Sequence, residues 1–382
     1  MKTVFIPLIL ILCILLSACD EIEITELNER LIIEAIGIDY EDGVYKVTIE
    51  GLDSFTSGSD TNSISSGRLT KCYMFEGETI GMAMNDISRI TGQIPLFSQA
   101  RVLIIGFETA QRRLSEVLDF FRREYTTRTD ILIAVAQNKA SETVAADFGE
   151  NVSAGNIIEA GLLSWRHTGK CVHTPLYRFL NSLMGETDSA FCPLITVKKN
   201  DFSDKNEIKF KGTAVFRKDG SIFTLSEDET LALMMINNSI ENADLTAEND
   251  KGLCTFEIIE CSTKTRIATD NSKAKIGISV NLRCDIPEFQ SRNFTGLSKE
   301  DTEKTAQTAA AKTAALLCDV LSKVCFYENC DTFFIGRRIN LKNRNFYKNQ
   351  LLESSSYEDI FEFDINVKID IRRIGKVTLS ED

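Results

Sequence analysis

Alternating apolar and polar positions mark residues 32–39 and 44–50 as two strands joined at Glu41-Asp42-Gly43, with Tyr45, Val47 and Ile49 on one face. A Ser-, Gly- and Thr-rich stretch over 53–68 has no apolar period and reads as a loop. A regular alternation of periods follows. Residues 69–75 suit a strand, and Ile80, Met84, Ile87 and Ile90 form a helical stripe that stops at Gly92. Residues 101–106 are the next strand, Ala110, Leu114, Val117, Leu118 and Phe121 the next helical stripe, and 131–137 the strand after it. This order predicts a β-α-β-α-β unit. Thr174 as N-cap and Pro175 as first helical residue open a helix that runs to about residue 183.

Polar residues over 198–207 predict a linker, after which the pattern changes. Strands at 208–217 and 221–225 flank Lys218-Asp219-Gly220 as a hairpin. Ser226 and Glu229 form a capping-box pattern ahead of Leu231, Leu233, Met234 and Ile236. Further strands are expected at 254–261, 265–269 and 275–284. Ser298 and Asp301 open the longest helix, with the stripe Ala306, Ala310, Thr313, Leu317, Val320, Leu321 and Val324. Ala309, Ala311, Ala314 and Ala315 lie outside that stripe, where small residues permit another element to approach closely or merely favour the helix. Alternating strands near 361–373 and 376–379 close the chain. The expectation is a multidomain α+β protein, with a mixed β-α-β-α-β N-terminal half and an antiparallel sheet carrying a long helix in the C-terminal half.

The N-terminus obeys a different rule. Lys2, an apolar run of thirteen residues from Val4 to Leu16, and the small pair Ser17-Ala18 form a secretory signal peptide. The run is shorter than the roughly 20 residues a spanning helix needs, and Pro7 interrupts it. Leu16-Ser17-Ala18-Cys19 resembles the lipobox of bacterial lipoproteins, which makes Cys19 the expected site of lipid attachment and the new N-terminus. The expected boundaries are a leader over 1–18, a tether over 19–29, an N-terminal domain over 30–200, as one body or two subdomains, and a C-terminal domain over 205–382.

Charge and cysteine content refine this picture. The formal net charge of −13 becomes −14 when Lys2 leaves with the leader, so a basic surface for nucleic acid or anionic lipid is excluded and a lipid must hold the protein. Of eleven cysteines, nine remain beyond Cys13 and Cys19, an odd number. Cys318 and Cys325 are about 10.5 Å apart along a helix, and Cys254 and Cys261 about 23 Å along a strand, too far for a bridge within either pair. Cys192 and Cys318 sit in apolar surroundings in the sequence, so mostly reduced, buried thiols in a reducing setting are expected.

Candidate chemistry is sparse. The stretch "HTGKCVH" brings His167, Cys171 and His173 close in sequence, but no CxxC or HExxH accompanies them, and no metal site is expected. GxSxG, P-loop and GxGxxG patterns do not occur. Glu227-Asp228-Glu229 suits a helix first turn, and Arg122 and Arg123 suit a helix C-terminus. No catalytic residue, cofactor or metal ligand is assigned, and the protein is expected not to be an enzyme.

Several blocks then converge. "CDEIEITELNERLIIEAIGIDYEDGVYKVTIE", "SQARVLIIGFETAQRRLSEVLDFFRREYTTRTDILIAVAQNKASE", "FKGTAVFRKDGSIFTLSEDETLALMMINN", "DTFFIGRRIN" and the closing "RRIGKVT" resemble, in order, blocks of the Ger(x)C lipoproteins, the C subunits of spore germinant receptors. The resemblance spans nearly the whole mature chain. The chain departs from the family at Asp20-Glu21, where an aromatic and basic pair is usual, near Gln99, where a histidine is usual, and near Phe346, where a tryptophan is usual. The resemblance implies a noncatalytic lipoprotein on the outer face of the spore inner membrane, without cofactor, partnered by integral-membrane A-type and B-type receptor subunits and needed for nutrient-triggered germination. Readings from other classes are a solute-binding lipoprotein of a transporter, which needs an interdomain ligand cleft, and a secreted hydrolase.

Overall fold

A computed structural model describes residues 29–52, 70–124, 126–149, 152–270, 272–291, 298–375 and 377–378. The leader, Cys19 and the loop expected over 53–68 lie outside the described residues. The architecture is α+β, with two sheets.

The first sheet begins with β1 (Arg30–Glu41) and β2 (Val44–Leu52), antiparallel and joined by Asp42-Gly43. Both turn residues have positive φ, 53° and 85°, as the tight turn that suits a right-twisted hairpin demands. β3 (Thr70–Gly77) adds to β2 at the edge, and α1 (Ile80–Thr91) follows it with Thr79 as N-cap and Gly92 in the left-handed C-cap. The three-residue β4 (Ile94–Leu96) and then β5 (Val102–Gly106) pair with β1 in parallel. α2 (Phe107–Arg123) leads to β6 (Leu132–Ala136), parallel to β5, so the expected strand–helix–strand crossover is real here. β3 is not part of it, because its partner is β2 and it lies three strands from β5.

Three helices come next: α3 (Ala140–Val144), α4 (Ala154–Leu163) and the short α5 (Trp165–Thr168). α6 (Leu176–Met184) starts after Pro175, which is the N-cap itself at ψ 147° and not the first helical residue. β7 (Phe191–Lys199) pairs in parallel with β6. The hairpin β8 (Asn206–Phe216) and β9 (Ile222–Leu225) is antiparallel to β7, so the strands expected beyond the linker extend the first sheet. The nine-stranded order is β3-β2-β1-β5-β6-β7-β8-β9, with β4 beside β1.

β5 and β6 are apolar at almost every position because both faces are covered. On one face Ile36, Ile38, Leu103 and Ile133 pack with Ile87, Val117 and Leu118 of α1 and α2. On the other, Val102, Ile104 and Ala134 pack with Val144 and Ile158 of α3 and α4. Two buried strand carboxylates seat that second layer. Asp39 accepts the backbone N–H groups of Ala140 and Ser141 at 2.9 and 2.8 Å, at the start of α3. Glu50 accepts Ser153 Oγ at 3.0 Å and the N–H groups of Ala154 and Gly155, both at 2.9 Å, at the start of α4. Each satisfies helix donors that have no partner within the helix.

The second sheet follows α7 (Glu227–Ile236), whose capping box of Ser226 and Glu229 forms as its sequence predicts. β10 (Ala243–Asn249), β11 (Gly252–Thr269), β12 (Ala274–Ser291), β13 (Phe361–Ile374) and β14 (Val377–Thr378) are adjacent in that order. The strands expected at 254–261 and 265–269 are one strand of 18 residues with bulges. Three of the four pairings are antiparallel, but β12 and β13 are parallel. The connection between them is a long crossover that carries helices, which a parallel pairing requires.

α8 (Lys299–Leu321) starts with the expected Ser298–Asp301 capping box and runs into a wider turn over Ser322–Tyr327. Leu317, Val320, Leu321 and Val324 pack into a core with Phe256, Ile276, Ile278 and Val280. Ala309 joins the buried face, Ala310 and Ala314 are half-buried, and Ala311 and Ala315 are exposed. α9 (Ile335–Lys342) completes the crossover.

Glu50→Ala is expected to lower the unfolding free energy by about 3 kcal/mol, because it strands buried N–H donors. Glu76→Ala, at an exposed edge position, should change it by less than about 0.5 kcal/mol. Denaturant midpoints of the two variants measure the difference.

Candidate functional site

The residues nearest to a chemical motif in the sequence do not come together. His167 is exposed at the end of α5. Cys171 is buried, and burial pushes its thiol up to about 12. His173 stacks on Trp165 with ring centres 5.6 Å apart. Burial, then the charges of Arg178 and Arg166, lower the His173 pKa and keep the ring neutral at pH 7. Among the described residues no three His, Cys, Asp or Glu side chains are grouped to hold a metal ion. Arg122 and Arg123 both pair with Asp119, at 2.9 and 2.8 Å, within the last turns of α2. The nine cysteines of the described residues are free thiols, and six of them are buried.

The concentration of buried polar groups lies elsewhere, where residues 185–189, between α6 and β7, meet the segment between α8 and α9. Asp331 is fully buried. Its Oδ1 accepts the N–H groups of Phe333 and Ile335 at 3.1 and 3.0 Å, and its Oδ2 that of Gly336 at 2.7 Å, so the carboxylate sits on the N-terminus of α9. Its backbone carbonyl accepts Ser189 N–H at 2.9 Å, and its own N–H donates to Ser189 Oγ at 3.1 Å. The neighbouring Asp188 is buried and ion-paired with Arg337, whose guanidinium lies 5.2 Å over the Phe334 ring.

The fit around this junction is close. Phe334 holds a left-handed φ of 58°, uncommon for an aromatic residue. Gly336 has no room for a side chain, since a Cβ would come within 2.3 Å of Thr187 Oγ1. Tyr347 donates to Glu186 Oε2 at 2.9 Å and Tyr357 to the Thr187 carbonyl at 3.1 Å. Arg217 of the β8–β9 hairpin pairs with Glu328, and Lys323 reaches Glu229 at 2.7 Å and the Thr224 carbonyl at 3.1 Å. The C-terminal segments therefore grip the first sheet from several sides.

Burial raises the Asp331 pKa to about 6, against the lowering pull of the Gly336 and Ile335 N–H groups, and the Asp188 charge raises it further. Chemically the junction holds charge in place; the four groups around it are two carboxylates, a guanidinium and a helix N-terminus, each already engaged. Asp331 and Asp188 carry no catalytic or ligand motif in the sequence. The one local signal was an acidic residue ahead of an apolar helix start, inside the block "DTFFIGRRIN".

This geometry defines the class: two α+β modules joined at the buried Asp331, whose backbone bonds Ser189, with no helix among the described residues long and apolar enough to cross a membrane. Comparison with known proteins identifies the family. Residues 23–197 match the spore germination protein N-terminal domain, and residues 211–375 match the spore germination B3/GerAC-like C-terminal domain. The chain belongs to the Ger(x)C family of spore germination proteins. It is 22% identical over 366 residues to spore germination protein B3 of Bacillus subtilis strain 168, covering 93% of this chain and 94% of that one. It is 24% identical over 298 residues to the putative spore germination protein YfkR of the same strain, covering 74% of each. The crystal structure of the GerBC protein shares the fold, with a TM-score of 0.54 at 17% identity, over 87% of this chain and 96% of that one.

Asp331→Asn should destabilise the protein, since the amide would oppose one of three N–H donors, by about 1–3 kcal/mol. Wild-type Asp331 retains its proton in the folded state up to about pH 6, whereas unfolded it loses it near 3.9. Its contribution to stability is therefore greatest in acid and declines as the pH rises through 6. Paired thermal melts should show the deficit of Asp331→Asn larger at about pH 4.5 than at about pH 7.

Proposed function

We propose that this protein is a noncatalytic, lipid-anchored subunit of a nutrient germinant receptor, required for spore germination. In this reading Cys19 carries the lipid and holds the chain on the outer face of the spore inner membrane. The protein acts by assembly with integral-membrane A-type and B-type subunits. The observation that carries the reading is the match of both family domains, in order, behind a leader pattern that ends just before Cys19. Two features support it. The net negative charge leaves a lipid as the means of attachment. The buried carboxylates Asp39, Glu50 and Asp331 are turned inward onto helix N-termini, a use of acidic groups that builds a rigid body instead of a reaction centre.

Cys19→Ala is expected to leave the body folded and move the protein from the membrane fraction to the soluble fraction. Retention after a high-salt wash, with the leader shown to be cleaved, would refute the anchor. Assembly is tested on α8. Ala311→Glu and Ala315→Glu replace exposed residues and should shift stability by less than about 0.5 kcal/mol. If this face meets a partner, both variants reduce co-purification with the membrane subunits and slow nutrient-triggered germination. Normal germination of a deletion strain complemented with either removes the face from the interface. Normal germination of the deletion strain lacking redundant receptors removes the receptor reading.

A further inference from the structure

Charge is unevenly laid out on this protein. A chain of net charge −13 is expected to lack a basic surface, and many exposed cations do sit in ion pairs, as Arg89 does with Asp86 and Lys304 with Glu300. The layout overturns that expectation at one place, the tip of the β11–β12 hairpin and the helix beside it. Arg266, Lys273 and Lys275 of the hairpin, Arg338 of α9 and Arg344 just after it are exposed, and among the described residues none of them forms an ion pair. Lys342, at the end of α9, donates to the Ile267 carbonyl, and Asn343 Nδ2 donates to Thr269 Oγ1 at 2.9 Å, so the helix end is pinned to the hairpin. Arg266, Lys275, Arg338 and Lys342 consequently line one hollow.

The nearby carboxylates do not neutralise this cluster. Asp270 is engaged inside the hairpin turn, where it accepts the N–H groups of Ser272 and Lys273 at 3.0 and 2.8 Å. Glu362 and Asp364 of β13 line the same hollow, with Glu362 beside Lys275 in register, and neither closes an ion pair among the described residues. Arg338 and Lys342 stand four positions apart on one helix face, an arrangement of like charges that costs stability unless an outside anion relieves it. α9 buries Ile335 and Ile339, so Arg338, Leu341 and Lys342 face outward together, and Leu341 is 85% exposed. A lone exposed leucine carries little meaning. An apolar side chain flanked by cations on one helix face is the composition that a lipid interface receives.

We propose that this patch rests on the anionic phospholipid headgroups of a membrane and so orients the lipid-held body. Each Lys or Arg close to such a surface strengthens attachment by about fivefold. A few of them bind weakly alone, but an acyl anchor keeps the patch at high effective concentration beside the headgroups. Leu341 favours lipid over an acidic protein segment, because a headgroup layer takes up charge and an apolar side chain together without a matching pocket. The inference rests on the anchored reading for the presence of the membrane. The vesicle experiment needs no anchor, so its failure leaves the fractionation of Cys19→Ala untouched.

The mature chain carrying Cys19→Ala, and therefore free of acyl groups, is sedimented with vesicles of phosphatidylglycerol and phosphatidylcholine in equal parts, and with vesicles of phosphatidylcholine alone. Binding to the anionic vesicles is expected at low ionic strength, with little to the neutral ones, and it should fall as salt is raised through about 0.15 M. Arg266→Gln combined with Arg338→Gln, at exposed positions without ion pairs, should leave the melting temperature unchanged and weaken binding by about 25-fold. Lys211→Gln, an exposed cation of β8 away from the patch, should leave binding unchanged. Leu341→Ser should weaken binding to the anionic vesicles while its salt dependence persists. Absence of binding to the anionic vesicles overturns the proposal. So does equal binding to both kinds of vesicle, or a loss in Lys211→Gln as large as in the double variant. A patch that meets an acidic protein segment leaves the vesicles unbound and shows as lost co-purification of the double variant with the membrane subunits, which overturns the assignment to lipid.

Discussion

Asp331, sealed from water, is the residue on which the union of the two modules depends: its carboxylate caps α9 while its backbone N–H and carbonyl bond Ser189 of the other module. A buried charge is costly unless its hydrogen-bonding capacity is met, and here three N–H groups at the start of α9 meet it. Meeting it dictates what lies nearby. The backbone must turn left-handed at Phe334 so that the next N–H groups converge, and Gly336 must lack a side chain so that Thr187 can come close. Asp188, brought alongside, then needs Arg337. The same device, a strand or loop carboxylate on a helix N-terminus, recurs at Asp39 and Glu50. In each case the acid fixes where a helix lands, which apolar packing alone leaves loose by a fraction of a turn.

What was legible in the sequence divides by distance along the chain. The capping boxes at Ser226 and Ser298, the Asp42-Gly43 turn and the stripes of α1, α2 and α8 depend on residues within a few positions of each other, and all were readable. Pairing between remote strands was not. β3 followed by α1 looks like the start of a crossover, yet β3 turns back onto β2, because hydrophobic period specifies a strand and not its neighbour. The β8–β9 hairpin lies past a polar stretch that reads as a linker, but Lys198 and Lys199 belong to β7, and their polarity marks a strand end outside the core. The parallel pairing of β12 with β13 is set by a crossover that no local pattern announces.

The candidate site shows the same division more sharply. His167, Cys171 and His173 are neighbours in sequence and diverge in space, one to solvent, one to the core, one onto Trp165. Asp331 and Ser189 are separated by 142 positions and share two hydrogen bonds. A contact of that span leaves only a faint trace in the chain, an acidic residue a few positions before a helix. The family resemblance reached the surrounding block because it compares whole segments in order, without saying what any one of their side chains does.

The parallel pairing of β12 with β13 has a consequence for the order of events during synthesis. The nine-stranded sheet is complete once Leu225 has emerged, and its pairings can form while the rest of the chain is still being made. β12 must wait for Phe361, nearly the end of the chain, and until then it presents an unprotected edge of up to 18 residues. Pairings of such long span form slowly, since loop-closure entropy is met before any contact compensates it. Residues 185–189 also wait, with Asp188 lacking its cation. A transient species, half assembled and exposing an adhesive strand, is thus built into the biosynthesis of this protein, and chaperones and proteases will meet it first.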